Sequence, residues 1–258
     1  MIVFPMVGMS RRFREAGYDR PKYMLPLAGG TCFDYSVMGF LPAFRGEDLT
    51  FVMRADFDTP DFVRQRLAAL GIEGARLVVL DEMTKGQAET VERGLEGVDD
   101  AGPDGLFIFN IDTFRPGFQL PPREARGDGY LETFIGSGDN WSFVEDDGSG
   151  QQRARRTTEK VPISNLCCTG LYQFARIDDF RIALDAERAA PSTNELYVAP
   201  TYNHLIAKGR DIRYTVVGLE GVVFCGVPSE YEALRTDGGE GVSRMFDSVA
   251  AASGQEPA

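Results

Sequence analysis

The first half of the chain alternates short apolar runs with segments in which apolar residues recur at helical spacing. The runs predict buried strands at residues 2–4, 49–53, 76–80 and 106–109. The helical spacing, with Thr or Thr-Pro start signals and a Gly stop signal, predicts helices at residues 32–39, 59–70 and 88–95. This alternation predicts an α/β fold in which helices cover a mostly parallel sheet.

The pattern changes from Gly127 onward. Strand-like segments between Gly, Asp and Ser turns predict an antiparallel or mixed sheet at residues 130–135, 141–144, 152–158 and 167–174. Two helices, two strands and a last helix are then predicted at residues 176–189, 199–208, 212–217, 222–225 and from 228. Residues 1–249 are expected to form one domain, and the small polar residues 250–258 a disordered tail.

Composition narrows the class of protein. The 258 residues are 43% hydrophobic and 26% charged, as in ordinary globular proteins. The formal net charge of -12 argues against a nucleic-acid partner, because nucleic acids bind to basic protein surfaces. The sequence contains neither a membrane-length apolar stretch nor a leader, so we expect a cytoplasmic protein with no membrane partner. The four cysteines lack zinc-site spacing and are expected to be buried, and no feature predicts an oligomeric state.

The strongest candidate for chemistry is the loop after the first strand. A glycine-containing turn there exposes backbone N–H groups that can surround phosphate oxygens, those of Val7, Gly8, Met9 and Ser10. Arg12 and Lys22 follow and supply the positive charge that stabilises a phosphoryl group in transfer and a departing pyrophosphate. Neither G-x-x-x-x-G-K-[ST] nor G-x-G-x-x-G occurs, which excludes the two standard phosphate-binding loops.

These residues carry a resemblance to a known family. Residues 5–27 resemble the signature of the sugar-phosphate nucleotidyltransferase superfamily, P-A-A-G-x-G-x-R-F…G-Y-x-x-P-K-x-L-L-P-L, and match it at Gly8, Arg12, Phe13, Gly17, Tyr18, Pro21, Lys22, Leu25, Pro26 and Leu27. Ser10 replaces the second loop glycine, and Met6 and Val7 replace two alanines. The resemblance implies a Rossmann-like three-layer α/β/α fold with a mixed, mostly parallel central sheet and a small β-rich acceptor lid.

The resemblance also implies a reaction. A nucleoside monophosphate would pass from an NTP to a phosphorylated small molecule, with release of pyrophosphate and with Mg²⁺ as cofactor. The commonest acceptors in the superfamily are sugar 1-phosphates, although short relatives also activate phosphocholine and other non-sugar phosphates. Two alternatives stay open: a metal-dependent glycosyltransferase, in which residues 110–112 would form a D-x-D-like motif, and a non-catalytic nucleotide-binding relative.

Asp112 is the candidate metal ligand. It follows the apolar run 106–109, at the carboxyl end of a predicted central strand, where ligands bind in open α/β sheets. The resemblance assigns the family's catalytic, metal-binding aspartate to this position; the alternative is a turn capped by the Asp side chain. Many relatives carry a second metal-binding aspartate near the C-terminus, but residues 223–228 contain none. Either a second metal ion is held by another residue, such as Asp139 or Glu195, or the site binds one metal ion only.

Gly86 and Gln87 are the candidate base-recognition residues. They lie before a predicted helix, in a stretch that resembles the G-Q-A variant of the family's nucleotide-binding segment. Glycine would permit a close approach to the base, and Gln87 could hydrogen-bond its edge. The alternative, which is compatible with the first, is an ordinary helix start with Thr84 as its cap and Glu89 in its first turn.

The acceptor is expected to meet Glu159, Lys160 and Gly170. By resemblance, an E-K pair before a G-x-Y-x-F strand contacts the acceptor, with Lys160 on its phosphate. An isolated E-K pair would instead be a solvated edge. Residues 194–203 resemble an E-x-Y stretch found in a subset that includes enzymes of nucleotide-sugar biosynthesis for capsular polysaccharide, but their role stays open. His204, the only histidine, receives no role.

Overall fold

A large mixed β-sheet forms the centre of the protein. The computed structural model describes residues 1–236 and 238–253. The strands are β1 (Ile2–Pro5), β2 (Pro26–Leu27), β3 (Gly30–Thr31), β4 (Leu49–Arg54), β5 (Arg76–Leu80), β6 (Leu106–Phe109), β7 (Thr113–Phe114), β8 (Gly129–Ile135), β9 (Ser142–Asp146), β10 (Ala154–Glu159), β11 (Leu166–Phe174), β12 (Ile212–Val216) and β13 (Val223–Phe224). The helices are α1 (Arg11–Glu15), α2 (Cys32–Met38), α3 (Thr59–Ala69), α4 (Gln87–Gly94), α5 (Ile177–Ala189), α6 (Val198–Ile206), α7 (Pro228–Arg235) and α8 (Glu240–Ser253).

Successive residues of the central strands face opposite layers of helices. In β1, Val3 packs into a cluster with residues of α4, α5 and α6, whereas Ile2 and Phe4 pack into a second cluster with residues of α2 and α3. Side chains alternate across a strand, so a strand covered on both faces is apolar throughout. This explains why unbroken apolar runs predict these strands, and the expected three-layer α/β/α fold is confirmed.

The strand order brings the loops after β1 and β6 to the same edge of the sheet. The order is β10-β9-β11-β6-β1-β4-β5, with β8 beside β11 and β12 beside β8. Strand β1 is parallel to β4 and β6, and Ile2 lies opposite Leu49 on one side and Phe107 on the other. Parallel strands end at a common edge, where open α/β sheets bind their ligands.

The predicted β-rich half continues the same sheet. Strand β11 pairs antiparallel with β6, β8 and β9, and its register with β8 shifts between Cys168 and Tyr172. Strand β10 pairs antiparallel with β9 at the sheet edge. A separate two-stranded sheet joins β7 to β13 and so brings the C-terminal part of the chain beside the residues that follow β6.

Five elements lie where the apolar pattern predicts none, namely α1, β2, β3, β7 and α8. Helix α8 runs to Ser253, so residues 250–253 are helical where a disordered tail is expected. Residues 254–258 of that expected tail lie outside the described residues. All four cysteines are buried free thiols, as predicted. None of the helices in the described ranges has both the length and the apolar character that a membrane crossing requires.

Candidate functional site

The loop between β1 and α1 presents free backbone N–H groups. Within the described residues, no hydrogen bond is donated by the amides from Val7 to Arg12. Gly8 and Met9 are exposed, and the space around Gly8 is open. Consecutive free amides beside basic side chains can hydrogen-bond phosphate oxygens. The loop therefore has the features expected of a phosphate cradle.

Ser10 explains how this loop tolerates the loss of a glycine. Its backbone adopts a left-handed conformation, with φ of 46° and ψ of 40°, which glycine would adopt without strain. Its hydroxyl oxygen accepts a hydrogen bond from the backbone N–H of Lys22 at 3.2 Å. The serine thus keeps the glycine-like turn and also ties the loop to the segment that carries Lys22.

Lys22 and Asp112 form the centre of the site. Asp112 follows the end of β6, and its Oδ2 accepts a hydrogen bond from the Nζ of Lys22 in an ion pair. Each side chain is only about one-fifth exposed, so the pair faces a restricted opening. The backbone N–H of Cys225 donates to the carbonyl of Asp112 at 2.8 Å, which fixes this turn against the C-terminal segment.

The C-terminal segment meets Asp112 through a glycine. A Cβ placed on Gly226 would lie 3.2 Å from Asp112 Oδ2. No group of three acidic, histidine or cysteine side chains suited to a metal occurs in the described part of the chain. There, no hydrogen bond or ion pair joins Asp139 or Glu195 to Asp112. Asp112 is thus one carboxylate that could hold a metal ion here, and Glu230 Oε2 lies 3.7 Å from the same Cβ position.

Arg12 lies apart from the ion pair. It projects from α1 into solvent, and its Nη2 donates to Oδ1 of Asn140 at 2.8 Å. This contact links α1 to the segment between β8 and β9. Arg12 remains available to an anion at the mouth of the site.

At the start of α4, Gly86 allows two backbones to pack closely. Its φ is 151°, and a Cβ there would lie 2.5 Å from the backbone nitrogen of Leu196. The predicted Thr84 cap is wrong, because Gly86 is the N-cap residue of α4 and Thr84 Oγ1 donates to the Gly86 carbonyl at 3.2 Å. Glu89 does lie in the first turn. Gln87, the first residue of α4, donates from Nε2 to Oδ1 of Asn110.

Glu159 and Lys160, the predicted acceptor-binding pair, occupy different environments. Glu159 ends β10 and accepts a hydrogen bond from Ser142 Oγ. Burial raises the pKa of Glu159, and the Ser142 hydrogen bond only partly opposes this shift. Lys160 donates from Nζ to the hydroxyl of Tyr197 at 2.5 Å, and Nζ lies 4.6 Å from the centre of that ring.

The surroundings of Lys160 favour its charged form. Burial lowers the pKa of Lys160, but the Tyr197 hydrogen bond and the nearby carboxylates Glu159 and Glu195 outweigh it, so the net shift is upward. Lys160 has a left-handed backbone with φ of 56°, and its N–H donates to the carbonyl of Trp141 at 2.8 Å. Lys160 is exposed at the protein surface, but its hydrogen bonds to Tyr197 and Trp141 hold it in place beside the partly buried Glu159.

Gly170 joins the acceptor strand to the residues before Asp112. The backbone N–H of Asn110 donates to the carbonyl of Gly170 at 3.2 Å. Gly170 has φ of 97°, and a Cβ there would lie 2.5 Å from Asn110 Nδ2. Asn110 and Tyr197 are the two site residues whose contacts sequence reasoning missed. Asn110 lies in the same sequence motif as Asp112, and Tyr197 lies in the E-x-Y stretch, whose role the sequence leaves open. Both segments are recognisable in the sequence, but neither pattern indicates which residues they contact.

Similarity to known proteins agrees with this geometry. A scan against protein-family models finds no match, and a search of curated proteins finds no similar sequence. Among solved structures, the nucleoside-diphosphate-sugar pyrophosphorylase from Vibrio cholerae RC9 is 44% identical over 93% of this chain and 100% of its own, with a TM-score of 0.83.

A more distant structure has the same fold. The inositol-1-phosphate CTP transferase from T. maritima is 15% identical over 95% of this chain and 94% of its own, with a TM-score of 0.71. The identity and full-length coverage of the first structure agree with the resemblance carried by residues 5–27. The chain belongs to the sugar-phosphate nucleotidyltransferase superfamily.

Proposed function

We propose that this protein is a nucleotidyltransferase that transfers a nucleoside monophosphate from an NTP to a phosphorylated small molecule and releases pyrophosphate. The observation that carries the proposal is the Lys22–Asp112 ion pair beside a loop of free amides at the edge shared by β1 and β6. The relative from Vibrio cholerae, described as a nucleoside-diphosphate-sugar pyrophosphorylase, supports it.

The reaction is an in-line displacement at the α-phosphorus. An anionic oxygen of the acceptor phosphate forms the new P–O bond, the bond to the bridging α,β-oxygen breaks, and pyrophosphate leaves with that electron pair. The nucleophile is already charged, so no general base is needed. The amides of residues 7–12 hold the triphosphate, and Arg12 and Lys22 stabilise the charge that develops on the departing pyrophosphate.

Asp112 fits a Mg²⁺ ion. Mg²⁺ binds through one or two carboxylates together with substrate phosphates and water, and Asp112 supplies one partly accessible carboxylate where the phosphates would lie. In that position Mg²⁺ would neutralise phosphate charge. Lys22 keeps the Asp112 carboxylate oriented and would turn toward the triphosphate when the ion is bound.

We propose a sugar 1-phosphate as the acceptor, and nucleotide-sugar biosynthesis, including that for capsular polysaccharide, as its context. Lys160 supplies the positive charge for the acceptor phosphate. Glu159 and Ser142 lie close by and can hydrogen-bond sugar hydroxyl groups. Gly86 and Gln87 are assigned to the nucleotide side.

The test is a matrix of ATP, CTP, GTP, UTP and dTTP against hexose 1-phosphates and phosphocholine, with pyrophosphate release as the readout. We expect release to depend on one NTP and one acceptor class together. Asp112→Asn should lower turnover about 10²- to 10³-fold, whereas Asp61→Asn on the exposed face of α3 should not change it. Absence of pyrophosphate with every pair, or release of a nucleoside diphosphate from a nucleotide sugar, would overturn the proposal.

A further inference from the structure

The carboxamide of Asn110 occupies the junction between the two halves of the site. Asn110 directly follows β6 and precedes Asp112 by two positions. Its backbone N–H is bonded to the Gly170 carbonyl of β11 at 3.2 Å. Its side-chain oxygen accepts from Gln87 at the start of α4. Asn110 thus contacts Gln87 through its side chain and Gly170 through its backbone, and these residues are assigned to the nucleotide and the acceptor respectively.

Among the described residues, none accepts a hydrogen bond from the side-chain nitrogen of Asn110. Gln87 Nε2 donates to Oδ1 of Asn110, which leaves Nδ2 at the other end of the carboxamide. A carboxamide nitrogen carries two N–H donors. Within the described residues, Nδ2 of Asn110 has no hydrogen-bond acceptor, and the residue is partly exposed. The two N–H groups of Nδ2 are therefore available to donate hydrogen bonds to a ligand.

Gly170 makes room for this side chain. A Cβ at Gly170 would lie 2.5 Å from Nδ2 and 2.8 Å from Cγ of Asn110. The register of β11 with β8 is broken between Cys168 and Tyr172, around this glycine. A glycine inside a strand marks a close approach of backbone to another group, and here that group is the Asn110 carboxamide.

We propose that Asn110 is a further catalytic residue, whose Nδ2 donates a hydrogen bond to a non-bridging oxygen of the phosphoryl group in transfer. Gln87 is then a positioning residue that acts through Asn110. The inference rests on the proposed function. The transferred phosphoryl group is the part of the substrates that is bonded to the nucleotide before the reaction and to the acceptor after it, and Asn110 lies between the residues assigned to those two partners.

The test is a double-variant cycle in the pyrophosphate assay. Asn110→Ala should lower kcat about 10²-fold, because one donor to a developing oxyanion is removed. Asn110→Asp, which keeps the shape but replaces the donor with an acceptor, should lose at least as much. In both variants the Kd for the NTP, measured without acceptor, should stay within about 3-fold of wild type, and the thermal midpoint should not change.

Gln87 should affect kcat only through Asn110. Gln87→Ala should lower kcat by less than Asn110→Ala, and the double variant should be no slower than Asn110→Ala alone. Wild-type kcat in Asn110→Ala, or losses that multiply in the double variant, would overturn the inference and leave the proposed function standing. No pyrophosphate from the wild-type protein would instead overturn the proposed function, and the inference with it.

Discussion

At the residue scale, Ser10 shows how a departure from a family signature is compensated. The sequence indicates a glycine position filled by serine, and that change leaves the shape of the loop open. The left-handed backbone at Ser10 costs about 1 kcal/mol in a residue other than glycine. The hydrogen bond from the Lys22 backbone to Ser10 Oγ offsets a similar amount.

Two substitutions separate these contributions. Ser10→Ala keeps the strain and loses the hydrogen bond, so the free energy of unfolding should fall by about 1 kcal/mol. Ser10→Gly loses both together and should change it by about 0 kcal/mol. Urea unfolding measures the difference. Equal destabilisation in the two variants would contradict the compensation.

Glu159 illustrates a cost in stability at a site residue. Burial raises its pKa in the folded protein above the ordinary value. The folded state therefore binds this proton more tightly than the unfolded state, and the resulting stability is present below the unfolded pKa and lost as pH rises through the folded pKa. At neutral pH the ionised Glu159 lowers the free energy of unfolding.

Glu159→Gln should raise the thermal midpoint at neutral pH, and this gain should shrink as the pH is lowered through the folded pKa of Glu159. The exposed Glu124→Gln serves as the control and should show no such pH dependence. In the pyrophosphate assay, Glu159→Gln should also raise the KM for the acceptor more than that for the NTP. A gain in stability that grows on acidification would contradict the sign of the argument.

The residues predicted from sequence are those with a pattern of their own. Lys22 and Asp112 stand in recognisable motifs, and the structure brings them together. The contacts of Asn110 depend on Gln87 and Gly170, which lie far away in the chain and meet only in the folded sheet. A partner of this kind has no local signal, so sequence reasoning could not assign it.

At the element scale, the apolar pattern predicts the long strands because both of their faces are buried. The two-residue strands β2, β3, β7 and β13 are too short to show a period, and only the β13 segment was predicted. Strand β7 exists because β13, from the far end of the chain, pairs with it. That pairing is also what carries Gly226 to Asp112.

The close packing between β11 and the end of β6 can be tested by substituting Gly170. Gly170→Ala meets both a positive φ and a clash with Asn110, so we expect a loss of about 3 kcal/mol in the free energy of unfolding. Gly148→Ala is the matched control, because Gly148 has a φ of 80° in open space and should lose only about 1 kcal/mol. Similar losses in the two variants, measured by urea unfolding, would rule out the clash.

At the scale of the whole molecule, a buried ion pair ties the segment after β7 to the large sheet. Arg115, just after β7, donates from Nε and Nη2 to both carboxylate oxygens of Glu132 in β8, at 2.7 and 2.9 Å. Thr169, the neighbour of Gly170, donates to Glu132 at 2.9 Å. The pair thereby holds the segment after Asp112 against the acceptor strand.

Removing one charge of this ion pair should lower the free energy of unfolding more than replacing both residues. Arg115→Met leaves Glu132 buried without its partner and should lower the free energy of unfolding by about 3–5 kcal/mol. The double variant Arg115→Met with Glu132→Leu removes both charges and should lose clearly less. Denaturant unfolding measures the loss in each variant. A loss in the double variant as large as the sum of the two single losses would contradict this expectation and show that the residues act independently.

The central claim is that the α-phosphoryl group of an NTP moves to an acceptor phosphate while pyrophosphate leaves. The direct test follows the label from α-³²P and γ-³²P NTP in parallel with the preferred acceptor. The account predicts that the α-label enters an acceptor conjugate and the γ-label enters pyrophosphate, and that Asp112→Asn slows both about 10²- to 10³-fold. Transfer of the γ-label to the acceptor, or release of the γ-label only as inorganic phosphate, would contradict it.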